Sequence, residues 1–302
     1  MRRLKLIYNK YAGNKGFKNE LDECIEVLQA AYDDISVFRT ETIEAIDAHL
    51  SKINPNEFDA IAIAGGDGSL NATLNAMLNY GINSKLGVIP AGTANDFARF
   101  LGIEKGDYIH AAKVIAKDNS KKIDVGKTNG KYFINVYGVG LITNISHHVD
   151  PNLKNALGNM AYYLKGLEKI QNFVPIPLKI TTSTDVFEED VYFFLALNSG
   201  GAGGIDNIIP DASLTDGMLD GIAVKASNIA ELATLGLKFF KGEHLQDDRV
   251  LYFKDKYIKL EAAKPAQGKI SFETNMDGEN TDPLPVEIEV VPKGIEIFID
   301  ER

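Results

Sequence analysis

The chain has 302 residues, 45% hydrophobic and 25% charged, enough for one large globular domain or two of ordinary size. Acidic residues outnumber basic ones, 42 to 32, and the formal charge of −10 argues against broad binding to nucleic acid or to anionic membrane surfaces. There is no run of about 18 apolar residues to span a bilayer and no apolar stretch after Met1-Arg2-Arg3-Leu4 to make a signal peptide, while a single cysteine excludes an internal disulfide framework and fits a reducing cytoplasm.

Arg3–Tyr8 reads as a first strand. It runs into Asn9-Lys10-Tyr11-Ala12-Gly13-Asn14-Lys15-Gly16, a polar loop that is either a phosphate loop or an ordinary connection. An amphipathic helix over Phe17–Ala31 follows, with Cys24 as a small core residue. A strand at Ile35–Thr40 and a helix at Ile43–Ile53, stopping before Pro55, come next. Asp59–Ala64 is a short apolar run, expected to be a strand buried on both faces. It breaks into Gly65-Gly66-Asp67-Gly68-Ser69-Leu70-Asn71 and continues as a helix over Leu70–Tyr80. A glycine turn at a helix N-terminus lets phosphate approach bare backbone N–H groups. Asp67 repels phosphate unless a cation lies between them, and Mg²⁺ shared by carboxylates and phosphates is the usual arrangement. A tight turn that merely needs glycine is the alternative.

Leu86–Ile89 predicts another short strand, ahead of Pro90-Ala91-Gly92-Thr93-Ala94-Asn95-Asp96-Phe97-Ala98-Arg99, and Asp107–Lys117 predicts a helix. Strands alternating with helices imply a doubly wound parallel sheet, whose ligands bind beyond the carboxyl ends of the strands. The Asn9, Thr40, Gly65 and Gly92 positions all fall at that end, and their convergence points to a nucleotide site.

After about residue 125 strands dominate. Lys121–Lys127 and Tyr132–Tyr137 are joined through Asn129-Gly130, a hairpin signal. Further strands are expected at Leu178–Thr182, Val191–Leu197, Gly221–Val224, Tyr257–Glu261, Lys269–Glu273, Val286–Val291 and Gly294–Ile299, with helices at Leu153–Gln171 and Ile229–Phe240. The pattern suits a mostly antiparallel β-sandwich. Asn198–Gly204 is a glycine-rich loop. Pro210–Asp220 carries three aspartates, either oxygen ligands for a cation or an Asx-turn cluster. Asn275-Met276-Asp277-Gly278-Glu279-Asn280 is either a hairpin tip or a general base with its partner. His147-His148 lacks the further ligands of a zinc site. Tyr162-Tyr163-Leu164 reads as packing or as the lining of an acyl pocket.

Asn9…Gly13, Thr40, Gly65-Gly66-Asp67-Gly68, Gly92–Arg99, Ile123-Asp124-Val125-Gly126, Pro210…Asp216-Gly217-Met218-Leu219 and Asp277-Gly278-Glu279 together resemble the diacylglycerol kinase catalytic-domain family. The bacterial soluble lipid kinases are the nearest group, and the resemblance covers nearly the whole chain. The first glycine motif is shared with NAD kinases and phosphofructokinase-like enzymes; the Gly92–Arg99 stretch is much more specific. The family implies a doubly wound α/β nucleotide domain of phosphofructokinase/NAD-kinase type, placed at residues 1–125. It also implies a β-sandwich lipid-substrate domain at 126–291, with 292–302 returning to the first domain and the active site in the cleft. ATP would be held by Asn9, Lys10, Tyr11, Ala12, Gly13, Thr40, Gly65, Gly66, Asp67, Gly68, Ser69, Leu70, Asn71, Ala72, Thr93 and Asn95. Asp67, Asp96 and Asp124 would surround a catalytic Mg²⁺, and Asp216 with the carbonyls of Ser213 and Met218 a second Mg²⁺. The base would be Asp277, with Glu279 as the alternative.

Two departures stand out. Lys10 replaces the family's proline, and Ser69 and Ala72 replace its threonine and glutamate; the missing carboxylate bears on nucleotide contact, not on the fold. The expected function is an ATP- and Mg²⁺-dependent lipid kinase that converts diacylglycerol to phosphatidic acid, with phosphatidylglycerol or a long-chain base as other acceptors. Such an enzyme would be cytoplasmic and would meet the inner face of the membrane peripherally, Lys15, Lys18 and Lys165 being candidate contacts; a homodimer is compatible with it. A soluble NAD kinase would need a Thr-Gly-Ser-Thr type loop, which is absent. A nucleotide-binding regulatory protein without turnover would have lost Asp277 or Asp216, and both are present.

Overall fold

The computed structural model describes residues 1–11, 16–140, 175–263, 272 and 274–300. Ala12, Gly13, Lys15, His147-His148, the 153–171 helix with Tyr162-Tyr163-Leu164 and Lys165, and most of the 269–273 strand lie outside the described residues. The chain divides into two units. The first comprises Met1–Asn135, Ser213–Gly217 and Val291–Arg302, the second Val136–Ala212 and Met218–Val290.

In the first unit β1 (Arg3–Asn9), β2 (Asp34–Thr40), β3 (Ala60–Gly65) and β4 (Lys85–Pro90) form a parallel sheet in the order β4-β3-β1-β2. The chain moves one way from β1 to β2 and the other way from β3 to β4. Right-handed crossovers then require helices on opposite faces. Accordingly α1 (Phe17–Gln29) packs with α5 (Tyr108–Ala116), and α2 (Ile43–Leu50) with α3 (Asp67–Asn79). The reversal lies between β1 and β3, at whose carboxyl ends Asn9 and Gly65 lie; open α/β sheets commonly bind ligands at such a reversal. Every residue of β3 is buried. Leu4, Leu6, Ile61, Ile63, Leu74, Leu86 and Ile115 are among the side chains of the surrounding core, each worth roughly 1.5–3 kcal/mol of burial. A short α4 (Asp96–Phe100) precedes α5, and β5 (Ser120–Thr128) turns into β6 (Lys131–Phe133) through Asn129 and Gly130, both at positive φ, as the hairpin signal predicts.

In the second unit every pairing among the described residues is antiparallel. The long β9 (Val186–Leu197) is its spine, with β8 (Ile176–Thr182) and β7 (Val136–Gly140) along one edge and β10 (Leu219–Lys225) along the other. The remaining strands are β11 (Val250–Asp255), β12 (Tyr257–Ala262), β13 (Thr274–Met276) and β14 (Glu279–Asn280). The helix α6 (Ile229–Lys241) opens on an Asn228–Glu231 capping box and closes at Gly242 in the left-handed conformation.

Three expectations are corrected. Tyr132–Tyr137 is not one strand: β6 pairs with β5 and β7 with β9, and the chain changes partner at Ile134-Asn135. Val286–Val291 and Gly294–Ile299 are one strand, β15 (Val286–Phe298), which starts on β12 in the second unit and ends parallel to β4 in the first. Finally, β11 was not expected from the sequence.

Candidate active site

The site in the first unit begins where β3 ends. Gly66 caps α3 in an extended conformation and brings no side-chain cap, so first-turn N–H groups are left for another partner. Asp67 is the first helical residue. The Gly92 loop lies directly against this turn: a Cβ on Gly92 would fall 2.2 Å from the Gly66 Cα. The carbonyl of Gly65 accepts from the Ala91 N–H at 3.0 Å and from the Asn95 amide at 2.9 Å. The Asn95 N–H donates to Asp67 Oδ2 at 2.8 Å. The two glycine loops are thus joined through Asn95, 28 residues after Asp67. The Gly65 position excludes larger residues for a different reason, because its Cβ would meet Ser69 at 2.6 Å.

Asp96 opens α4 and pairs with Arg99 at 2.8 Å. Thr93 is exposed, and its carbonyl accepts from Lys105 at 2.6 Å. Asp124, 1% exposed, is held by backbone on both oxygens: Gly217 donates to Oδ2 at 2.7 Å and Lys293 to Oδ1 at 2.8 Å. Its own N–H donates to the carbonyl of Leu214 at 2.7 Å.

Beside β1, Asn9 pairs in register with Thr40. Asn9 Oδ1 accepts from the Tyr11 N–H, and the Thr40 hydroxyl donates to the Thr42 carbonyl. Lys10 donates its N–H to Thr40, a bond that the family's proline cannot make, and its ammonium pairs with Glu41. That carboxylate holds the Lys10 amine above the usual lysine range. On α3, Leu70 is buried, Ala72 half-buried, and the Asn71 amide donates to the Tyr132 carbonyl at 3.2 Å. Asn75 brackets the same residue, accepting from its N–H and donating to its carbonyl at 2.8 Å each.

Ser213 and Asp216 lie in the 213–217 segment of the first unit, half-buried and exposed respectively; Met218 opens the second segment of the second unit and is 43% exposed. Among the described residues no three His, Cys, Asp or Glu side chains converge as a metal-ligand cluster.

In the second unit Asp277 and Gly278 form the β13–β14 hairpin turn, both at positive φ. The hairpin and the buried carboxylate coincide, for Asp277 is 4% exposed. Its N–H donates to the Val136 carbonyl at 2.9 Å and its Oδ1 accepts from the Val136 N–H at 2.8 Å. Glu279 is exposed on β14. The sequence did not single out Arg99, Asn75, Val136 or Lys293 as partners. Only Arg99 carried a local signal, three residues after Asp96 on one helix.

Comparison with known proteins decides the family. Residues 3–128 match the diacylglycerol kinase catalytic domain, and residues 135–299 the YegS C-terminal NAD kinase beta sandwich-like domain. A diacylglycerol kinase of Bacillus subtilis (strain 168) is 35% identical over 288 residues, 95% of this chain and 93% of the relative. One from Staphylococcus aureus (strain bovine RF122 / ET3-1) is 35% identical over 298 residues, 98% and 92% of the two chains. This chain belongs to the diacylglycerol kinase catalytic domain family. It is thereby a lipid kinase. A solved structure from Bacillus anthracis str. Sterne matches with a TM-score of 0.83 at 29% identity, covering 99% of this chain and 95% of that one. A second structure, of a diacylglycerol kinase from that organism, gives 0.79 at 27% identity, with 99% and 97% covered. The family resemblance read from the sequence and the α/β-plus-antiparallel-β fold class both agree with these matches.

Proposed function

We propose that this enzyme transfers the γ-phosphoryl group of ATP to the hydroxyl of diacylglycerol, giving phosphatidic acid and ADP, with Mg²⁺ as cofactor. The observation that carries the reading is the Asp67–Asn95 bond beside the Gly66–Gly92 contact. It sets one carboxylate next to an N-terminus of α3 that no side chain caps. Such N–H groups receive phosphate oxygens, and Mg²⁺ is commonly held by one or two carboxylates with substrate phosphates and water rather than by an all-protein cage. Asp67 and Asp96 fit that role; a bound ion would supply neutralisation of the phosphate charge. Asp124, both of whose oxygens accept backbone N–H groups, suits the holding of loops around it. Ser213, Asp216 and Met218 are the proposed oxygen donors of a second ion.

In the transfer the lipid hydroxyl oxygen bonds to the γ-phosphorus while the bond to the β–γ bridging oxygen breaks. The hydroxyl proton passes to a carboxylate, and Asp277 is proposed for it. Its buried, backbone-anchored position is better defined than that of exposed Glu279. This chemistry requires Asp277 to reach the acceptor hydroxyl beside the γ-phosphate. We also propose that the enzyme reaches its lipid peripherally, at the cytoplasmic face of a membrane. Among the described residues no helix is long and apolar enough to cross one.

The test is transfer of labelled phosphate from ATP to lipids in mixed micelles, wild type beside Asp277→Asn. The panel holds diacylglycerol, phosphatidylglycerol, sphingosine and a monoacylglycerol, with NAD as the soluble control. Transfer to diacylglycerol that needs Mg²⁺ and falls at least about a hundredfold in the variant is expected of a lost general base. Transfer to NAD alone, or an unimpaired variant, overturns the assignment.

A further inference from the structure

Asn95 combines three properties that few residues share. Its backbone is left-handed, φ 56° and ψ 47°, a conformation that Asn tolerates far better than branched or bulky residues. Its side chain is short enough to reach back to the Gly65 carbonyl, at 2.9 Å. Its amide must point the nitrogen there, since the opposite orientation would set two acceptors against each other. That orientation leaves Oδ1 buried and without a partner among the described residues, so the donation to Gly65 alone sets the side chain. With the side chain fixed, the Asn95 N–H is directed at Asp67 Oδ2. Asn95 is itself 3% exposed.

We infer that Asn95 is a positioning residue: it fixes the rotamer of Asp67, and through it the Mg²⁺-dependent part of nucleotide binding. The inference rests on the ATP- and Mg²⁺-dependent reading above. It assigns Asn95 no direct contact with the nucleotide, and it separates this residue from the glycines around it, which are required by backbone contact. Glycine at 95 would keep the left-handed backbone and the N–H but lose the tether to Gly65. Aspartate would keep size and backbone and present an acceptor to the Gly65 carbonyl. Each removes the same donor by a different route.

The test is equilibrium binding of ATP by calorimetry, with Mg²⁺ and with EDTA, for wild type, Asn95→Gly, Asn95→Asp, Asp67→Asn and the Asn95→Gly/Asp67→Asn pair. Thermal unfolding of each variant reports whether it is folded. For wild type, Mg²⁺ tightens ATP binding. In Asn95→Gly that increment falls about fivefold or more, the scale of the one neutral hydrogen bond lost, the tether to Gly65, while binding in EDTA stays near wild type. In the Asp67→Asn background Asn95→Gly has no further effect, because both act on one interaction. An equal loss with and without Mg²⁺, or full additivity with Asp67→Asn, shows a merely structural tether and overturns the inference. If Asn95→Gly fails to fold, Asn95→Asp carries the same comparison. Absence of ATP binding by the wild type would instead overturn the nucleotide reading itself, and the inference with it.

Discussion

Asp124 accepts the backbone N–H of Gly217 at 2.7 Å, across 93 residues of sequence. Its second oxygen takes the N–H of Lys293, 169 residues on. Both donors sit at positive φ, so one buried carboxylate anchors two turns that lie far apart in sequence.

Asp124→Asn is expected to lose at least one of these bonds, because an amide NH₂ must then face a backbone N–H. The cost is about 1–3 kcal/mol, that of leaving a buried donor unsatisfied. Urea unfolding monitored by circular dichroism measures it. An unchanged midpoint would show that the 213–217 and 291–294 turns stand without Asp124.

Stability toward acid is expected to depend on Asp247 in the second unit. Hydrogen bonds from Arg249, and then from Lys238, hold its carboxyl well below the usual carboxylate range despite burial. A pKa lower in the folded than in the unfolded chain means that the unfolded state binds the proton first. The contribution is therefore complete above the unfolded value of about 4 and is lost as pH falls below it. Asp247→Asn should lower the melting temperature at pH 7 by a few degrees and flatten its decline between about pH 5 and pH 2. Parallel curves for the two proteins would contradict this.

Cys24, on α1, is fully buried, and burial pushes its thiol up to about 12. Since the thiolate is the reactive form, a thiol reagent at pH 8 should leave the folded protein unmodified for hours and titrate one cysteine after unfolding in guanidinium. Rapid labelling of the native enzyme would disagree with a core role.

Much of the first unit was legible because its strands are buried on both faces and its helices have an apolar side. Ala60–Gly65 could hardly be anything but a central strand. The single strand β15 was not legible, because Pro292-Lys293-Gly294 reads as a break. What carries the chain through is a change of neighbours, from β12 to β4, together with the Asp124 bond to Lys293. The site shows the same division. Asp67, Asp96, Asp124 and Asp277 stand out by residue type and motif, and Asn95 and Gly217 lie within motifs too, but the bonds that join these carboxylates to the partners Asn95, Gly217, Lys293 and Val136 were not legible. Three of those partners are 93 to 169 residues away and act through backbone groups, which every residue but proline carries. A motif nominates a side chain; only the fold shows what holds it still.

The two glycines in contact should behave differently when each is given a methyl group. At Gly92 the new carbon would lie 2.2 Å from the Gly66 Cα and 2.9 Å from its nitrogen, backbone atoms that cannot swing aside as a side chain can. Gly92→Ala should therefore cost about 3 kcal/mol or more, at the upper end of overpacking, or fail to accumulate as folded protein. At Gly66 the new carbon would come no nearer than 3.3 Å to the Gly92 Cα, and the residue's φ of −95° and ψ of −176° suit alanine. Gly66→Ala should stay within about 1 kcal/mol of wild type in urea unfolding. If phosphate sits on the first turn of α3, the same methyl group stands in its approach, and ATP binding should fall at least about tenfold at nearly unchanged stability. Retained ATP binding in a stable Gly66→Ala variant would move the phosphate seat away from this turn.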